Sequence, residues 1–126
     1  MQKIAKVGLI GCGHIAETYF RAHKYFNNFQ IIKCADINKK AAEKCAKTYK
    51  IEAVSVNDLL KDKNVEIILN LTIPTAHYLI AKKSLLNGKH VYSEKPLAVD
   101  FKEGLDLVKI AKKKKNCLLE MLLIHF

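Results

Sequence analysis

The chain has 126 residues, of which 50% are hydrophobic and 27% are charged. This length accommodates one domain, so we assign residues 1–126 to a single unit, and the composition excludes a fibrous or disordered chain. Lysine and arginine number 22 against 12 aspartate and glutamate residues, a formal net charge of +10.

The positive charge does not predict nucleic-acid binding. Only one of the basic residues is an arginine, Arg21, and the lysines are scattered rather than gathered into a patch. The sequence contains no apolar run near the roughly 18 residues of a membrane span, and its first ten residues lack a secretory signal. We therefore expect neither nucleic acid nor a membrane as a partner.

The four cysteines, Cys12, Cys34, Cys45 and Cys117, form no CxxC pair and no cluster at zinc-binding spacing. This pattern predicts no metal site. Reduced thiols are typical of a cytoplasmic protein, which is the location we expect.

Short apolar runs alternate with segments of helical spacing along the chain. The predicted elements, in chain order, are strand 4–10, a helix carrying Ile15, Tyr19, Phe20 and Phe26, strand 29–37, a helix carrying Ala41, Ala42, Cys45, Ala46 and Tyr49, a weak strand 53–56, strand 65–73, a helix after Thr75 that ends at Gly88, strand 89–93, a helix opened by Asp100 and Glu103, and strand 117–124. This alternation predicts an α/β fold with a doubly wound parallel sheet.

The last two helices have predicted buried faces. The first of them should bury Ile80, Ala81 and Leu85, and the second should bury Phe101, Leu105, Val108 and Ala111. Lys112–Lys115 then fall in the last turn of the second helix, where the helix dipole favours cations without any partner.

The first predicted strand leads directly into Gly11, Cys12, Gly13, His14, Ile15 and Ala16, a GxGxxA fingerprint. Gly11 permits the tight turn, Gly13 lets a pyrophosphate approach the backbone, and Ala16 lets the helix pack close to the strand. The amide groups at the helix N-terminus stabilise the phosphates. The fingerprint predicts a dinucleotide site along Gly11 to Ile15.

Asp36 ends the second predicted strand, twenty residues after Ala16. A carboxylate there accepts hydrogen bonds from the adenosine ribose and repels a 2′-phosphate, which favours NAD over NADP. Lys39 and Lys40 could neutralise a 2′-phosphate, so NADP stays open. The alternative role for Asp36 is to cap the next helix, although Asn38 can do that instead.

Two further segments follow strand ends. Thr72 and Pro74, followed by His77, lie where the nicotinamide half of a dinucleotide would rest, although a lone histidine such as His77 more often packs or caps. Glu94, Lys95 and Pro96 end the next strand, and the proline directs Lys95 over the same crevice. A lysine there can stabilise an alkoxide or transfer a proton; the alternative is a surface ion pair with Glu94.

Together these segments resemble the N-terminal domain of the Gfo/Idh/MocA oxidoreductases, the family of glucose-fructose oxidoreductase and inositol dehydrogenase. The resemblance is carried by residues 7–16, the strand end at Asp36, residues 69–74 with His77, and residues 88–98. It implies NAD or NADP along Gly11, Gly13 and Asp36, with Thr72, Pro74, Glu94 and Lys95 around the nicotinamide. It further implies hydride transfer to or from a sugar-type or polyol carbon, with Lys95 close to both molecules.

Members of that family continue into a second domain that supplies most of the substrate pocket, whereas this sequence stops at Phe126. We therefore expect this chain alone to lack the full active site. Three alternatives remain: a non-catalytic nucleotide-binding module, a nucleic-acid-binding protein, and a methyltransferase-type fold, in which Glu94-Lys95-Pro96 has no place. Association into a homo-oligomer also stays open.

Overall fold

The computed structural model describes residues 3–114 and 119–122. Within them the elements are β1 (Ala5–Ile10), α1 (His14–Ala22), β2 (Phe29–Ala35), α2 (Lys39–Tyr49), β3 (Glu52–Ala53), α3 (Val56–Lys61), β4 (Ile67–Asn70), α4 (Pro74–Leu86), β5 (His90–Glu94), α5 (Phe101–Lys113) and β6 (Leu119–Leu122). Among these described residues, no helix is long and apolar enough to cross a membrane.

All six strands pair in parallel, in the order β3-β2-β1-β4-β5-β6. The chain moves outward from β1 to β3, returns to the other side of β1, and then moves outward again through β4, β5 and β6. The strand order therefore reverses between β1 and β4, where parallel α/β sheets open a crevice for ligands. This topology confirms the doubly wound Rossmann fold predicted from the sequence.

Helices cover both faces of the sheet. Consecutive residues of a strand point to opposite faces, so neighbouring residues pack against different helices. Leu9 packs in a cluster with Ala16 and Phe20 of α1, whereas its neighbour Ile10 packs in another cluster with Leu59 of α3. A third cluster joins α4, β5 and α5 through Ala81, Leu85, Val91 and Leu107. Burial on both faces explains why the strands read as continuous apolar runs.

Several predicted helix boundaries are confirmed by their caps. Asn38 accepts hydrogen bonds from the N–H groups of Lys40 and Ala41 at the start of α2, and Asp100 accepts one from Lys102 at the start of α5. Gly88 has φ of +75°, the left-handed conformation expected just after α4.

Helix α3 was not predicted, and the weak strand expected over 53–56 is shorter than expected. The strand β3 ends at Ala53, and Val56 already belongs to α3. The side chain of Ser55 caps this helix by accepting a 3.1 Å hydrogen bond from the N–H of Asp58. The close packing of α3 on β1 also depends on Gly8, where a Cβ would lie 2.8 Å from Cδ1 of Leu59.

The buried face predicted for α5 is wrong at three of its four residues, whereas Ala111 is half-buried and packs against the core cluster. Phe101 is 84% exposed, Leu105 43% and Val108 37%, whereas Leu107 is fully buried. The helix packs against α4 through Leu107 and through Asp106, which accepts a 2.7 Å hydrogen bond from Tyr78. Tertiary contacts thus select a different side of the helix from the one that apolar spacing suggested.

Other expected positions also differ. Phe26 was assigned to the first helix, but α1 ends at Ala22 and Phe26 is 56% exposed. The helix α4 begins at Pro74, slightly earlier than expected. The predictions at Cys117, Lys115 and residues 123–126 lie outside the described residues.

Candidate dinucleotide site

The residues selected from the sequence lie at one edge of the sheet. They follow the carboxyl ends of β1, β2, β4 and β5, which are neighbours in the order β2-β1-β4-β5. The set consists of Gly11, Cys12, Gly13, His14, Ile15, Asp36, Thr72, Pro74, His77, Glu94 and Lys95. Segments that are separated along the chain by as many as 84 residues, from Gly11 to Lys95, are thus brought to the same end of the sheet.

Gly11 adopts a backbone conformation that requires glycine. Its φ is +103°, and a Cβ would lie 2.4 Å from the carbonyl oxygen of Leu71. The N–H of Gly11 donates to the carbonyl of Ala35, and the N–H of Leu71 donates to the carbonyl of Ile10. The turn is therefore held between β2 and β4, and it has no room for a side chain.

Gly13 serves a different purpose. It is the N-cap of α1, with extended φ and ψ angles of −82° and −164° that any residue can adopt. No protein atom lies within 4 Å of the position a Cβ would take, and no side chain caps this end of the helix. The structure leaves open space beside the N-terminus of α1, where a pyrophosphate fits the uncapped amide groups. His14 and Ile15 form the exposed first turn.

Asp36 is half-buried beside this loop. Its Oδ2 accepts a 2.7 Å hydrogen bond from the N–H of Cys12, and its Oδ1 accepts one of 2.7 Å from the N–H of Asn38. Because Asn38 caps α2, Asp36 is not needed as the cap. Each carboxylate oxygen keeps a further lone pair, which can accept from a ribose hydroxyl.

A cavity of about 410 Å³ adjoins Asp36. Its lining includes Lys39 and Glu43 from α2, and Ala53, Val54 and Ser55 at and after the end of β3. The mixture of two carboxylates, one lysine and apolar atoms suits a flat aromatic group attached to a sugar.

A buried polar network joins the ends of β4 and β5. Asn70, which is fully buried, accepts a 2.7 Å hydrogen bond from the hydroxyl of Thr72 and donates one of 3.0 Å to the carbonyl of His77. The ring of His77 lies with Nε2 2.7 Å from the carbonyl oxygen of Thr72 and Nδ1 2.6 Å from that of Pro96. These contacts fix the loop after β4 against the segment after β5.

This network shows where the side chain of His77 lies relative to its predicted role. The sequence placed it among the residues that contact the cofactor, but its side chain is 1% exposed and both ring nitrogens face backbone carbonyls. The side chain of His77 is therefore not placed to contact a cofactor, contrary to the sequence prediction, and instead positions the loops that follow β4 and β5. Thr72 is half-buried and Pro74 is exposed at the first turn of α4, so both can line the crevice itself.

Glu94 is held by a residue that the sequence did not single out. The hydroxyl of Tyr19 donates a 2.6 Å hydrogen bond to Oε1 of Glu94, which joins α1 to the end of β5. Burial, followed by the hydrogen bond with Glu94, raises the pKa of Tyr19, so the hydroxyl keeps its proton at neutral pH. Lys95 is exposed, and the surface ion pair considered for Lys95 and Glu94 is not among the ion pairs of the described residues.

Two residues of the site were therefore missed. Asn70 had a usable signal, because it is the polar residue within an apolar strand and buried polar groups require partners. Tyr19 had none beyond its position three residues after Ala16 on α1, and its partner lies 75 residues further along the chain.

The arrangement of the cysteines also differs from what their spacing in the sequence predicted. The sulfur atoms of Cys12, Cys34 and Cys45 lie within 4.8 Å of one another, although the sequence predicted no metal site. They come from the loop after β1, from β2 and from α2, so no spacing rule could reveal them. All three are free thiols, as expected. Hydrogen bonding with Cys12, and then with Cys34, lowers the pKa of Cys45.

Parallel strands in this order, a glycine turn with space for phosphates, and a carboxylate at the end of β2 define a dinucleotide-binding α/β domain. Comparison with known proteins identifies the family. Residues 5–121 match the Gfo/Idh/MocA family, described as an oxidoreductase family with an NAD-binding Rossmann fold. The chain belongs to this family and comprises its NAD-binding domain.

Relatives and solved structures agree with this assignment. An inositol 2-dehydrogenase/D-chiro-inositol 3-dehydrogenase of Lactiplantibacillus plantarum is 32% identical over 114 residues, which is 87% of this chain and 33% of the relative. The WlbA dehydrogenase of Chromobacterium violaceum, solved with NADH and UDP-GlcNAcA, superposes with a TM-score of 0.90 at 27% identity, covering 97% of this chain and 36% of that one.

A third similar structure is the biliverdin reductase of Synechocystis sp. PCC 6803, solved with biliverdin and NADP+. Its TM-score is 0.85 at 28% identity, and the match covers 93% of this chain and 37% of the reductase. The chain thus spans about a third of the length of the proteins it matches.

Proposed function

We propose that this chain is the cofactor domain of an NAD-dependent dehydrogenase that transfers a hydride between the nicotinamide and a sugar-type or polyol alcohol or carbonyl. The single observation that carries the proposal is the open Gly13 turn joined to Asp36 through the Cys12 amide, in a domain from this family. Lys95 follows β5 at the carboxyl end of the same sheet. The sugar or polyol class is supported by relatives named as inositol dehydrogenases.

In the proposed arrangement the pyrophosphate lies over Gly13, against the backbone amides of His14 and Ile15. The adenosine ribose bonds to Asp36, and the adenine enters the cavity between α2 and the end of β3. Thr72 and Pro74 line the nicotinamide half, at the carboxyl end of β4. The two halves of the cofactor then lie on either side of the reversal in strand order.

The residues after β5 supply the polar chemistry. A bound nicotinamide would supply the hydride acceptor or donor. The Nζ of Lys95 would donate a hydrogen bond to the substrate oxygen and stabilise negative charge on it while the hydroxyl proton passes to solvent water and the hydride passes to the nicotinamide. The carboxylate of Glu94 accepts from Tyr19 and forms no ion pair with Lys95 among the described residues, so the lysine is available to the substrate in this proposal. His77 holds the carbonyl of Pro96 and so fixes the backbone that carries Lys95.

The choice between NAD and NADP depends on two neighbouring groups. Asp36 accepts from the ribose hydroxyls and repels a 2′-phosphate, whereas Lys39 lines the same cavity and attracts one. Because the carboxylate is held at the ribose position by the Cys12 and Asn38 amides, NAD is the preferred cofactor in this proposal.

The substrate pocket and the subunit arrangement involve more than the described residues. Relatives are about three times as long as this chain, and by the family resemblance a second domain supplies most of the pocket. The dehydrogenase activity is therefore proposed for a protein that contains both parts, in the cytoplasm, where the three free cysteines stay reduced. The alternative is a nucleotide-binding module without turnover.

Cofactor binding is tested by titrating the chain with NADH in a calorimeter and comparing Gly13→Val with the wild type. Because Gly13 has an ordinary extended backbone and open space around its Cβ position, the variant should fold normally and still lose nearly all binding heat. Unchanged binding in Gly13→Val, or no heat in the wild type, contradicts the proposed phosphate position.

Turnover separates the dehydrogenase from the non-catalytic module. The protein encoded by the complete reading frame is incubated with NAD and a panel of inositols, sugars and polyols, and NADH absorbance is followed. Reduction of NAD by at least one polyol, lost in Lys95→Met, supports the dehydrogenase. Tight NADH binding with no turnover on the panel contradicts it and favours the module.

A further inference from the structure

Three thiols meet behind the dinucleotide loop. Cys34 on β2 is fully buried, Cys45 on α2 is 7% exposed, and Cys12 in the loop is half-buried. Their sulfur atoms lie within 4.8 Å of one another, and none of the three is in a disulfide. Cys34 and Cys45 belong to the core cluster under α1, and the thiols of Cys12 and Cys34 donate to the carbonyls of Ala35 and Ala42 at 3.6 and 3.5 Å. The proposed hydride transfer uses none of the three thiols.

The separation of the sulfurs suits a shared metal ion. Zn²⁺ binds thiolate sulfur at about 2.3 Å, so three sulfurs around one ion lie roughly 3.8 Å apart. The observed triangle needs only small side-chain adjustments to reach that size. A disulfide, in contrast, requires two sulfurs to approach to about 2.0 Å.

The cluster is also accessible. A cavity of about 420 Å³ opens between α1 and α2, and its lining includes Cys12 and Cys45 together with Lys44 and Thr48. A metal ion can enter by this route, and the cavity leaves room for a water molecule as fourth ligand. The lining also carries one charge of each sign, Lys44 and Glu17, beside a site whose three thiolates exceed the charge of a divalent ion by one.

The donor set indicates the class of ion. The cluster itself consists of three sulfur donors, which select thiophilic cations over magnesium, calcium or manganese, and His14 and Glu17 line the cavity beside it. We propose that Cys12, Cys34 and Cys45 form a binding site for a single Zn²⁺ ion or a chemically similar thiophilic cation. Binding releases one proton from each thiol that is protonated, and no electron is transferred.

The cavity that opens onto this cluster is also lined by Gly13 and His14, so the metal site adjoins the proposed pyrophosphate position. The residue that supplies one sulfur, Cys12, also donates its backbone N–H to Asp36 at 2.7 Å. The metal site does not rest on the proposed function, because the sulfur positions and the cavity alone carry it.

The test is a Zn²⁺ titration of the fully reduced, metal-free chain against a chromophoric chelator, with elemental analysis after desalting. The wild type should bind one Zn²⁺ per chain. Cys45→Ser should weaken binding by on the order of 100-fold or more, since losing even an outer partner of a metal ligand costs about 10- to 100-fold. Cys117→Ser, which leaves all three thiols of the cluster intact, is the matched control and should bind like the wild type.

Folding and cofactor binding are followed in parallel. Far-ultraviolet circular dichroism checks that Cys45→Ser is folded, and Cys12→Ser provides a second variant at a less buried thiol. A wild type that binds no stoichiometric Zn²⁺, or that binds it no more tightly than folded Cys45→Ser, overturns the proposal. Because NADH binding is measured separately, loss of that binding with Zn²⁺ retained would overturn only the proposed function.

Discussion

The backbone N–H of Cys12 donates a 2.7 Å hydrogen bond to Oδ2 of Asp36, so the dinucleotide loop after β1 and the carboxylate after β2 form one unit. The other carboxylate oxygen accepts from the N–H of Asn38. Two backbone donors therefore fix the direction in which Asp36 presents its remaining lone pairs.

This arrangement predicts the cofactor preference. Asp36→Asn keeps an acceptor for one of the two backbone donors but removes the negative charge, so the ratio of NADPH affinity to NADH affinity should rise by about tenfold, or about 1.4 kcal/mol. The measurement is a pair of calorimetric titrations. Lys39→Ala is the complementary variant and should lower NADPH affinity while leaving NADH affinity nearly unchanged. An unaltered ratio in Asp36→Asn would place the ribose elsewhere.

The hydrogen bond from Tyr19 to Glu94 should contribute to stability. Tyr19→Phe removes only the hydroxyl and should lower the free energy of unfolding by about 1 kcal/mol, because Glu94 loses a partly buried partner. The measurement is chemical denaturation followed by circular dichroism. Tyr25→Phe is the matched control, since Tyr25 is 83% exposed, and it should change nothing. If the two variants change the free energy of unfolding equally, the hydrogen bond from Tyr19 to Glu94 does not contribute to stability.

His77 should matter more than Tyr19, because it joins two segments and is buried. His77→Leu should lower the free energy of unfolding by about 2 kcal/mol, since a buried ring N–H that donates to the carbonyl of Thr72 or of Pro96 is lost. Hydrogen exchange should also speed up at amides near Lys95. If exchange in that segment stays at the wild-type rate, His77 does not position it.

The ion pair between Lys33 and Asp62 predicts a pH dependence. The two groups are 2.5 Å apart, and the Lys33 hydrogen bond holds the pKa of Asp62 below its ordinary value of 3.8. The stabilisation is therefore complete above pH 3.8 and is lost as the pH falls through the lower pKa of the folded state. A double-mutant cycle with Lys33→Met and Asp62→Asn should give a coupling free energy at pH 6 that shrinks towards pH 3. A coupling that is constant over this range contradicts the interaction.

The cofactor half of the site could be read from the sequence because its signals are local. Gly11, Gly13 and Asp36 lie at fixed distances from strand ends, and the backbone positions they occupy depend on short-range geometry. The parallel sheet was equally accessible, since strands buried on both faces carry continuous apolar runs. The helix caps at Asn38 and Asp100 followed from the same local chemistry.

The contacts between different elements around the crevice could not be predicted from local sequence signals. Tyr19 and Glu94, His77 and Pro96, and the three cysteines are each joined by contacts between different elements. The face of α5 was predicted wrongly for the same reason, since its packing against α4 determines that Leu107 rather than Phe101 is buried.

The sequence by itself determined the alternation of strands and helices, the glycine turn after β1 and the carboxylate that ends β2, because each depends on residues that are neighbours along the chain. Only the tertiary structure decided that His77 is buried as a support, that Tyr19 holds Glu94, and that Cys12, Cys34 and Cys45 meet. The physical reason is that hydrogen bonds and metal coordination act over a few ångströms in space, and only folding brings such distant segments that close.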